Sequence, residues 1–243
     1  NSILPLNIDV DKLNKDIEKF PYVYQITEDM HITHKGVSRM VMIDRYSYKD
    51  TKKETLTEGD LVVLTVKPDP KYPARGIGYV QSLDWDANEA VILLEEEYRG
   101  TLEDSEEIES GIVTRSIDVI EKPLEIFYEQ IAKRNARGLA EVEENSEKVE
   151  ESFEKFYNQL RNKNFVPAGR VLYGAGAETD VTYFNCYVMP FPKDSREGIG
   201  EHRNKVMEIM SRGGGVGTNG STLRPRNSLA RGVNGKSSGS VSW

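Results

Sequence analysis

The residues best suited to chemistry lie in the last third of the chain, and the first of them is its single cysteine. Cys186 stands in the run Asn185-Cys186-Tyr187-Val188-Met189-Pro190. The apolar pattern from Tyr183 to Met189 predicts a buried strand with the cysteine inside it. A lone cysteine in a strand is usually an inert core residue, and reactivity requires exposure to a cleft. With one cysteine, no disulfide can form within the chain.

A glycine-rich segment follows the cysteine. It contains Gly213-Gly214-Gly215, and Arg224, Arg226 and Arg231 come after it. Consecutive glycines let the main chain pass close to a ligand, and the fork of an arginine suits phosphate oxygens. The segment matches neither a Walker loop nor a dinucleotide fingerprint. It therefore predicts an anion or nucleotide loop, with a purely structural glycine turn as an equal alternative.

Composition narrows the class of protein. The chain has 243 residues, of which 37% are hydrophobic and 30% charged, as in a globular protein. A net charge of -8 argues against binding to nucleic acid. The sequence shows neither a bilayer-length apolar run nor a signal peptide, so we expect a cytoplasmic protein without a membrane partner. His31 and His34 form an H-x-x-H pair without a third ligand nearby, so we expect no metal site.

Hydrophobic periodicity divides the chain into four segments. We expect an N-terminal arm at 1–35, a small β-barrel-like accessory domain at 36–120, a helical region at 121–163 and an α/β segment at 164–243. Strands are predicted at 37–48, 60–66, 77–83 and 90–95. Helices are predicted with Pro123 in a first turn, with Ser146 as a cap, and over 199–210.

The order of motifs in the second half resembles that of a ribonucleotide reductase large chain. A helix is followed by Pro167-Ala168-Gly169-Arg170, then by Asn185-Cys186-Tyr187-Val188, then by the glycine-rich run ending in Leu223-Arg224-Pro225. Gly235-Lys236-Ser237-Ser238-Gly239 closes the pattern. The likeness runs from about Leu124 to Trp243. The Asn-Cys-Tyr-Val form and the short leader are most similar to the adenosylcobalamin-dependent class (class II).

The resemblance implies a fold and a reaction. The fold would be a small N-terminal β domain, a helical linker and the first part of a ten-stranded α/β barrel. The reaction would replace the ribose 2′-hydroxyl of a ribonucleotide by hydrogen through thiyl-radical chemistry. Adenosylcobalamin is the implied cofactor, and a deoxynucleotide is the implied allosteric effector. The helix before Gly213 corresponds to one that packs in a homodimer of the family.

The resemblance also implies roles for particular residues. Cys186 matches the first cysteine of the reducing pair and would be redox-active. The positions that match substrate contacts are Gly169, Asn185, Cys186 and Gly215. The positions that match the effector-binding neighbourhood are Asp194, Ser195, Arg224 and Arg231. Glycine and asparagine at 169 and 185 replace the hydroxyl residues of some classes, and one extra residue separates Cys186 from Asp194.

The cysteine count predicts that this chain is inactive by itself. The chemistry of the family needs a radical-bearing cysteine and a reducing pair, whereas the sequence holds one thiol. The rest of the barrel would come from a second chain or from a segment outside this sequence. Three alternatives stay open: a reductase of the iron- or manganese-dependent class, a non-catalytic nucleotide-binding regulator, and an interaction module in the β region.

Overall fold

The computed structural model describes residues 8–230 and 234–242. The chain separates into two compact units, with the division between Val181 and Thr182. The first unit combines an antiparallel sheet with helices, and the second is built around one long helix and short strand pairs. Each unit is described separately below.

A six-stranded antiparallel sheet forms the centre of the first unit, with the strand order β1-β6-β2-β3-β4-β5. Its strands are β1 (Lys49–Asp50), β2 (Leu61–Lys67), β3 (Ala74–Asp84), β4 (Glu89–Leu94), β5 (Ile112–Ser116) and β6 (Ile120–Pro123). The strands predicted at 60–66, 77–83 and 90–95 are thereby confirmed to within a few residues at their ends. Turn residues separate them, including Asn88, which has a φ of 58°.

Strand β2 is buried on both of its faces, which explains its continuous apolar run. Successive side chains of a strand point to opposite faces. Leu61 and Val63 pack in a cluster with the helices of the unit. Val62 and Leu64 pack on the other face with side chains of β4 and β5. The sheet is therefore the shared wall of two apolar cores.

Helices cover one face of this sheet. The helices of the first unit are α1 (Val10–Ile17), α2 (Gly36–Val41), α3 (Ser105–Ser110), α4 (Tyr128–Ala140), α5 (Ser146–Arg161) and α6 (Gly169–Gly174). In α4, Ile131, Ala132 and Ala136 recur at helical spacing and are buried. Among the described residues, no helix combines the length and the apolarity needed to cross a membrane.

The expectation of β structure from Val37 to Tyr48 is wrong. Helix α2 is followed by one turn of π-helix, Met42–Tyr46, and only Lys49 and Asp50 form a strand. Val37, Met40 and Val41 recur at helical spacing as well as in partial alternation, so local pattern alone does not decide. Burial of Met42 and Ile43 in the core shared with α4 and the sheet favours the helix.

Two helix starts also differ from expectation. Pro123 ends strand β6, opposite Lys49 of β1, and α4 begins only at Tyr128. Burial of the intervening Leu124, beneath α1, holds this stretch outside the helix. The cap of α5 is Asn145 and not Ser146, since its side chain accepts a hydrogen bond from the Lys148 N–H at 3.0 Å.

The long helix that was predicted in the second unit is confirmed, but the described residues of this unit form no closed barrel. Helix α7 (Arg196–Ser211) contains the segment predicted at 199–210. Its strand pairs are β7 (Cys186–Tyr187) with β8 (Gly215–Val216), and β9 (Leu229–Ala230) with β10 (Gly235–Lys236). The first pair is parallel and the second antiparallel. The chain is thus mixed α/β, and a ten-stranded barrel is not confirmed.

An ionic cluster ties α1 to the sheet. Lys122 is buried, and its Nζ donates hydrogen bonds of 2.7 Å to Asp16, Asp60 and the Thr55 carbonyl. Lys12 also donates to both carboxylates. Burial opposes ionisation of Asp16, but the hydrogen bonds from the two lysines outweigh it and lower the pKa of this carboxyl. The charged form of Asp16 therefore stabilises the docking of α1.

Asp16→Asn is expected to lower the free energy of unfolding at neutral pH by about 1–3 kcal/mol, the usual loss for a hydrogen bond to a charged group. The folded-state pKa lies below the unfolded one, so the stabilisation is present above about pH 4 and is lost as pH falls through the folded value. Urea unfolding at stepwise lower pH checks this. The difference from the wild-type chain should shrink in acid, whereas Asp11→Asn on an exposed position of the same helix should change little.

Candidate functional site

The cysteine lies on a short parallel strand pair at the surface of the second unit. Cys186 of β7 pairs with Gly215 of β8, and Tyr187 pairs with Val216. The Gly215 N–H donates to the Asn185 carbonyl at 2.7 Å. Cys186 is exposed, and Val188 beyond it is fully exposed. The expectation of a buried strand over Tyr183–Met189 is therefore wrong, because two residues pair and the thiol is open to solvent.

Gly215 leaves open space beside the sulfur. A Cβ built at Gly215 would stand 3.5 Å from Cys186 Sγ and 3.4 Å from the Asn185 carbonyl oxygen. A side chain at this position would cover the thiol. Three predicted substrate-contacting positions, Asn185, Cys186 and Gly215, are thus brought together on adjacent strands. The thiol faces a space that only a residue without a side chain leaves free.

The other two glycines of the triplet turn the chain out of helix α7. Gly213 has a φ of 72°, in the left-handed region that favours glycine, and its N–H donates to Met210 O at 2.9 Å. The Gly214 N–H donates to Ile209 O at 3.0 Å. The triplet therefore combines the two roles that the sequence allowed. Gly213 and Gly214 form the turn that ends helix α7, and Gly215 leaves space beside the thiol.

A buried histidine joins α7 to the segment after the triplet. His202 is 5% exposed, and its Nε2 lies 3.1 Å from the Thr218 hydroxyl oxygen. This link holds the chain beyond Gly215 against the helix. Sequence reasoning did not single out His202, because one histidine on a helix carries no distinctive signal.

Two of the four predicted effector residues, Asp194 and Arg224, are in contact at the start of α7, and a third, Ser195, caps that helix. The Arg224 Nε donates to Asp194 Oδ2 at 2.8 Å, and its Nη2 donates to the Asp194 carbonyl at 3.1 Å. Ser195 caps the helix, with its Oγ accepting from the Gly198 N–H at 3.0 Å. The fourth residue, Arg231, lies outside the described residues. The arginine fork is thus placed at a helix N-terminus, where the helix dipole favours anions.

Gly169 lies in the first unit, where it is the first residue of α6. A Cβ at Gly169 would come within 3.0 Å of the Tyr46 hydroxyl oxygen, so the start of α6 approaches that ring closely. The structure therefore places Gly169 in a different unit from the other three predicted substrate contacts.

A buried arginine that the sequence did not reveal as important holds the end of α6. Arg134 and Glu125 are 1% and 0% exposed. Their side chains pair through Nε–Oε1 at 2.7 Å and Nη2–Oε2 at 3.0 Å. Arg134 also donates to the carbonyls of Tyr46, Leu172 and Ala175. An arginine within a helical pattern is usually a solvated residue, so only tertiary contacts identify this one.

The two histidines of the H-x-x-H pair point to separate partners. His31 Nδ1 lies 3.0 Å from the Asp29 carbonyl oxygen. The ring of His34 packs edge-on against Tyr128, at 5.7 Å between centroids. Burial, followed by the charge of Lys163, lowers the pKa of His34. In the described residues, no group of three metal-ligating side chains is assembled.

Comparison with protein families agrees with the division into units. Residues 118–180 match the family model described as ribonucleotide reductase, all-alpha domain, and residues 184–243 match the one described as ribonucleotide reductase, barrel domain. The second half of the chain is therefore similar to two domains of ribonucleotide reductases. No curated protein matches the chain.

The residues discussed as substrate, redox or effector sites lie within these two matches. Gly169 and Arg134 fall in the all-alpha match, whereas Cys186, Gly215 and Arg224 fall in the barrel match. Strands β1 to β5 lie outside both matches. Five of the six strands of the sheet therefore lie outside the matched residues, and only β6 lies inside.

Proposed function

We propose that this chain supplies part of the active site of a ribonucleotide reductase, with Cys186 as one thiol of the reducing pair. The observation that carries the proposal is the open space beside the Cys186 sulfur, created by Gly215 on the paired strand. A redox thiol must reach its substrate, and this thiol is exposed within the barrel-domain match.

The proposed reaction replaces the 2′-hydroxyl of the ribose by hydrogen. The hydroxyl leaves as water, and the two electrons come from two thiols that become a disulfide. Cys186 gives its hydrogen at the 2′ face of the sugar and ends bonded to a second cysteine. Since the sequence contains one cysteine, the second thiol and the radical-bearing thiol come from outside these 243 residues. We therefore expect no turnover by this polypeptide alone.

The neighbours of Cys186 would bind the substrate without covering the thiol. The Asn185 carbonyl is engaged by the Gly215 N–H, so substrate contacts of Asn185 fall to its side-chain amide. Gly215 offers no side chain, and the sugar would occupy the space where a Cβ would stand. Gly169 is proposed, from the family resemblance, as a main-chain contact of the substrate.

A deoxynucleotide effector is proposed at the start of α7. The N-terminus of this helix and the Arg224 fork suit phosphate, and Ser195 supplies the cap. In the structure the fork holds the Asp194 carboxylate. A phosphate would therefore exchange with Asp194 at Arg224, and the freed carboxylate could accept a hydroxyl of the sugar. Arg231 is proposed as a further cation of this site.

The class of reductase is a proposal that rests on the Asn-Cys-Tyr-Val motif. Adenosylcobalamin supplies radical chemistry when it is bound. The three histidines are engaged elsewhere: His202 lies against Thr218, His31 against the Asp29 carbonyl and His34 against Tyr128. Among the described residues, the histidines thus form no set of donors that would coordinate cobalt, and the roles proposed for Cys186, Asn185 and Gly215 do not depend on the cofactor. A cytoplasmic location and a homodimer are likewise proposed.

Protection of Cys186 by nucleotides tests the proposal. Because Cys186 is the only cysteine, alkylation by iodoacetamide reports on this position alone. A ribonucleoside diphosphate or triphosphate at ten times its dissociation constant is expected to slow alkylation about tenfold, in proportion to the unoccupied fraction. Gly215→Val should abolish the protection by filling the space beside the sulfur. Gly217→Ala is the matched control, because an added Cβ at Gly217 would meet no other atom within 4 Å.

Alkylation at the same rate with and without saturating ribonucleotide would contradict the active-site proposal. Deoxynucleotide binding without any ribonucleotide protection would favour the second candidate, a nucleotide-binding regulator. The Asp194–Arg224 contact, next to the Ser195 cap of α7, is the observation behind that candidate. Equilibrium binding of dATP, dTTP and dGTP to the same chain separates the two.

A further inference from the structure

The strand pair that carries the thiol has two chemically different faces. Side chains alternate along a strand, so Cys186 and Tyr187 project to opposite sides of β7. On the first side, Cys186 lies beside Gly215, whose missing side chain leaves space at the sulfur. On the second side, Tyr187 lies against Gly214. The two adjacent glycines thus serve one residue each.

Gly214 makes room for the ring of Tyr187. A Cβ built at Gly214 would stand 2.8 Å from Tyr187 Cε2 and 2.6 Å from Ile209 Cγ2. Both distances are shorter than nonbonded carbon atoms tolerate, so a side chain here would displace the ring or the helix residue. The ring therefore packs directly against the main chain of the glycine turn.

A hydrogen bond fixes the far end of the same ring. The Tyr187 phenol oxygen lies 3.1 Å from the Thr182 hydroxyl oxygen. Thr182 is itself held, because its hydroxyl oxygen accepts the Phe184 N–H at 3.2 Å. Tyr187 is thus fixed by its backbone pairing with Val216, by the contact of its ring with Gly214 and by its phenol.

We propose that Tyr187, held between Gly214 and Thr182, is a positioning residue that orients the thiol of Cys186 toward the space at Gly215. The proposal rests on the proposed function, since it assigns a support to the same thiol. A two-residue strand pair has few ladder hydrogen bonds to keep its side chains on their faces. Tyr187 is next to Cys186 and projects to the opposite face, so anchoring its ring keeps the cysteine side chain on its own face.

The two glycines are then not interchangeable. A substitution at Gly215 changes access to the Cys186 sulfur on one face of the strand pair. A substitution at Gly214 displaces the Tyr187 ring on the opposite face. The Tyr187 phenol and the Thr182 hydroxyl share one hydrogen bond, so loss of the Thr182 hydroxyl should have a smaller effect once the phenol has been removed. This dependence is specific to a shared contact and is measured by a double-mutant cycle.

Electron paramagnetic resonance of the full chain tests the anchor. A nitroxide attached to Cys186 labels only this position, because no other cysteine is present. Tyr187→Phe and Thr182→Val are each expected to raise the ratio of mobile to ordered label about threefold, as loss of one hydrogen bond would. The double variant should show a smaller rise than the product of the two single rises, with the part due to the Thr182–Phe184 contact remaining. Tyr183→Phe, at an exposed ring of the same segment, should leave the ratio unchanged.

Gly214→Ala provides the second measurement, because it acts on the ring and not on the phenol. We expect a larger mobile fraction than in Tyr187→Phe, with helix content retained by circular dichroism. If Tyr187→Phe and Thr182→Val leave the spectrum of the label as in the wild-type chain, or if their effects simply add, Tyr187 is not the anchor. A folded Gly214→Ala chain with a wild-type spectrum would also refute it.

The cycle is independent of nucleotide binding. If the double-mutant cycle shows coupling but nucleotides do not protect Cys186, the role of Tyr187 stands and the proposed substrate site is refuted. If nucleotides protect Cys186 but the cycle shows no coupling, the substrate site stands and the role of Tyr187 is refuted. The two proposals therefore fail by different measurements on the same polypeptide.

Discussion

Arg134→Ala is expected to lower the free energy of unfolding of the first unit by about 3–5 kcal/mol, the usual effect of removing one partner of a buried ion pair. Glu125 would be left as a buried charge without its guanidinium. The carbonyls of Leu172 and Ala175 would lose a donor at the end of α6. Urea unfolding followed by circular dichroism measures the change. A domain is typically stable by only about 5–15 kcal/mol, so the loss is large.

An ion pair between α4 and α5, nearer the surface, provides the control. Arg137 pairs with Glu150, whose side chain is 62% exposed. Glu150→Ala breaks this pair and should cost less than about 1 kcal/mol. The combined variant Glu125→Leu with Arg134→Met should recover part of the loss, because it leaves no uncompensated charge. A loss below about 1 kcal/mol in Arg134→Ala would show that the buried pair does not hold the unit together.

Cys186→Ser is expected to abolish multiple-turnover ribonucleotide reduction by any assembly that contains this chain. A hydroxyl is nearly the shape of a thiol but cannot form a disulfide, so the two electrons for the sugar would be missing. The measurement is deoxyribonucleotide formed with a dithiol reductant, together with the nucleotide affinity of the variant. Affinity should stay close to that of the wild-type chain, because the serine keeps the space at Gly215 open.

Cys186→Ala separates redox chemistry from packing. It should lose turnover to the same extent as the serine variant, since both lack sulfur. Sustained turnover by either variant would remove Cys186 from the reaction. The 243-residue chain alone should show no turnover even with the native cysteine, because it supplies one thiol where the proposed reaction oxidises two.

The sequence by itself determined the elements with strong periodic patterns and the family. The three central strands, α4, α5 and α7 were predictable because their apolar residues recur with a clear period. The ordered motifs around Gly169, Cys186 and Gly215 indicated the reductase family, whose domain models match the same region. These signals come from residues close together in the sequence, so they can be recognised without knowledge of the fold.

Tertiary structure decided what depends on contacts between distant segments. Burial of Met42 and Ile43 makes the predicted first strand helical, and burial of Leu124 delays the start of α4. The Arg134–Glu125 pair and the Asp194–Arg224 contact join residues whose types alone suggest ordinary surface charges. The exposed Cys186 sulfur lies beside Gly215, which is far along the chain. Spacing in sequence carries no information about such distances, because only folding brings the two strands side by side.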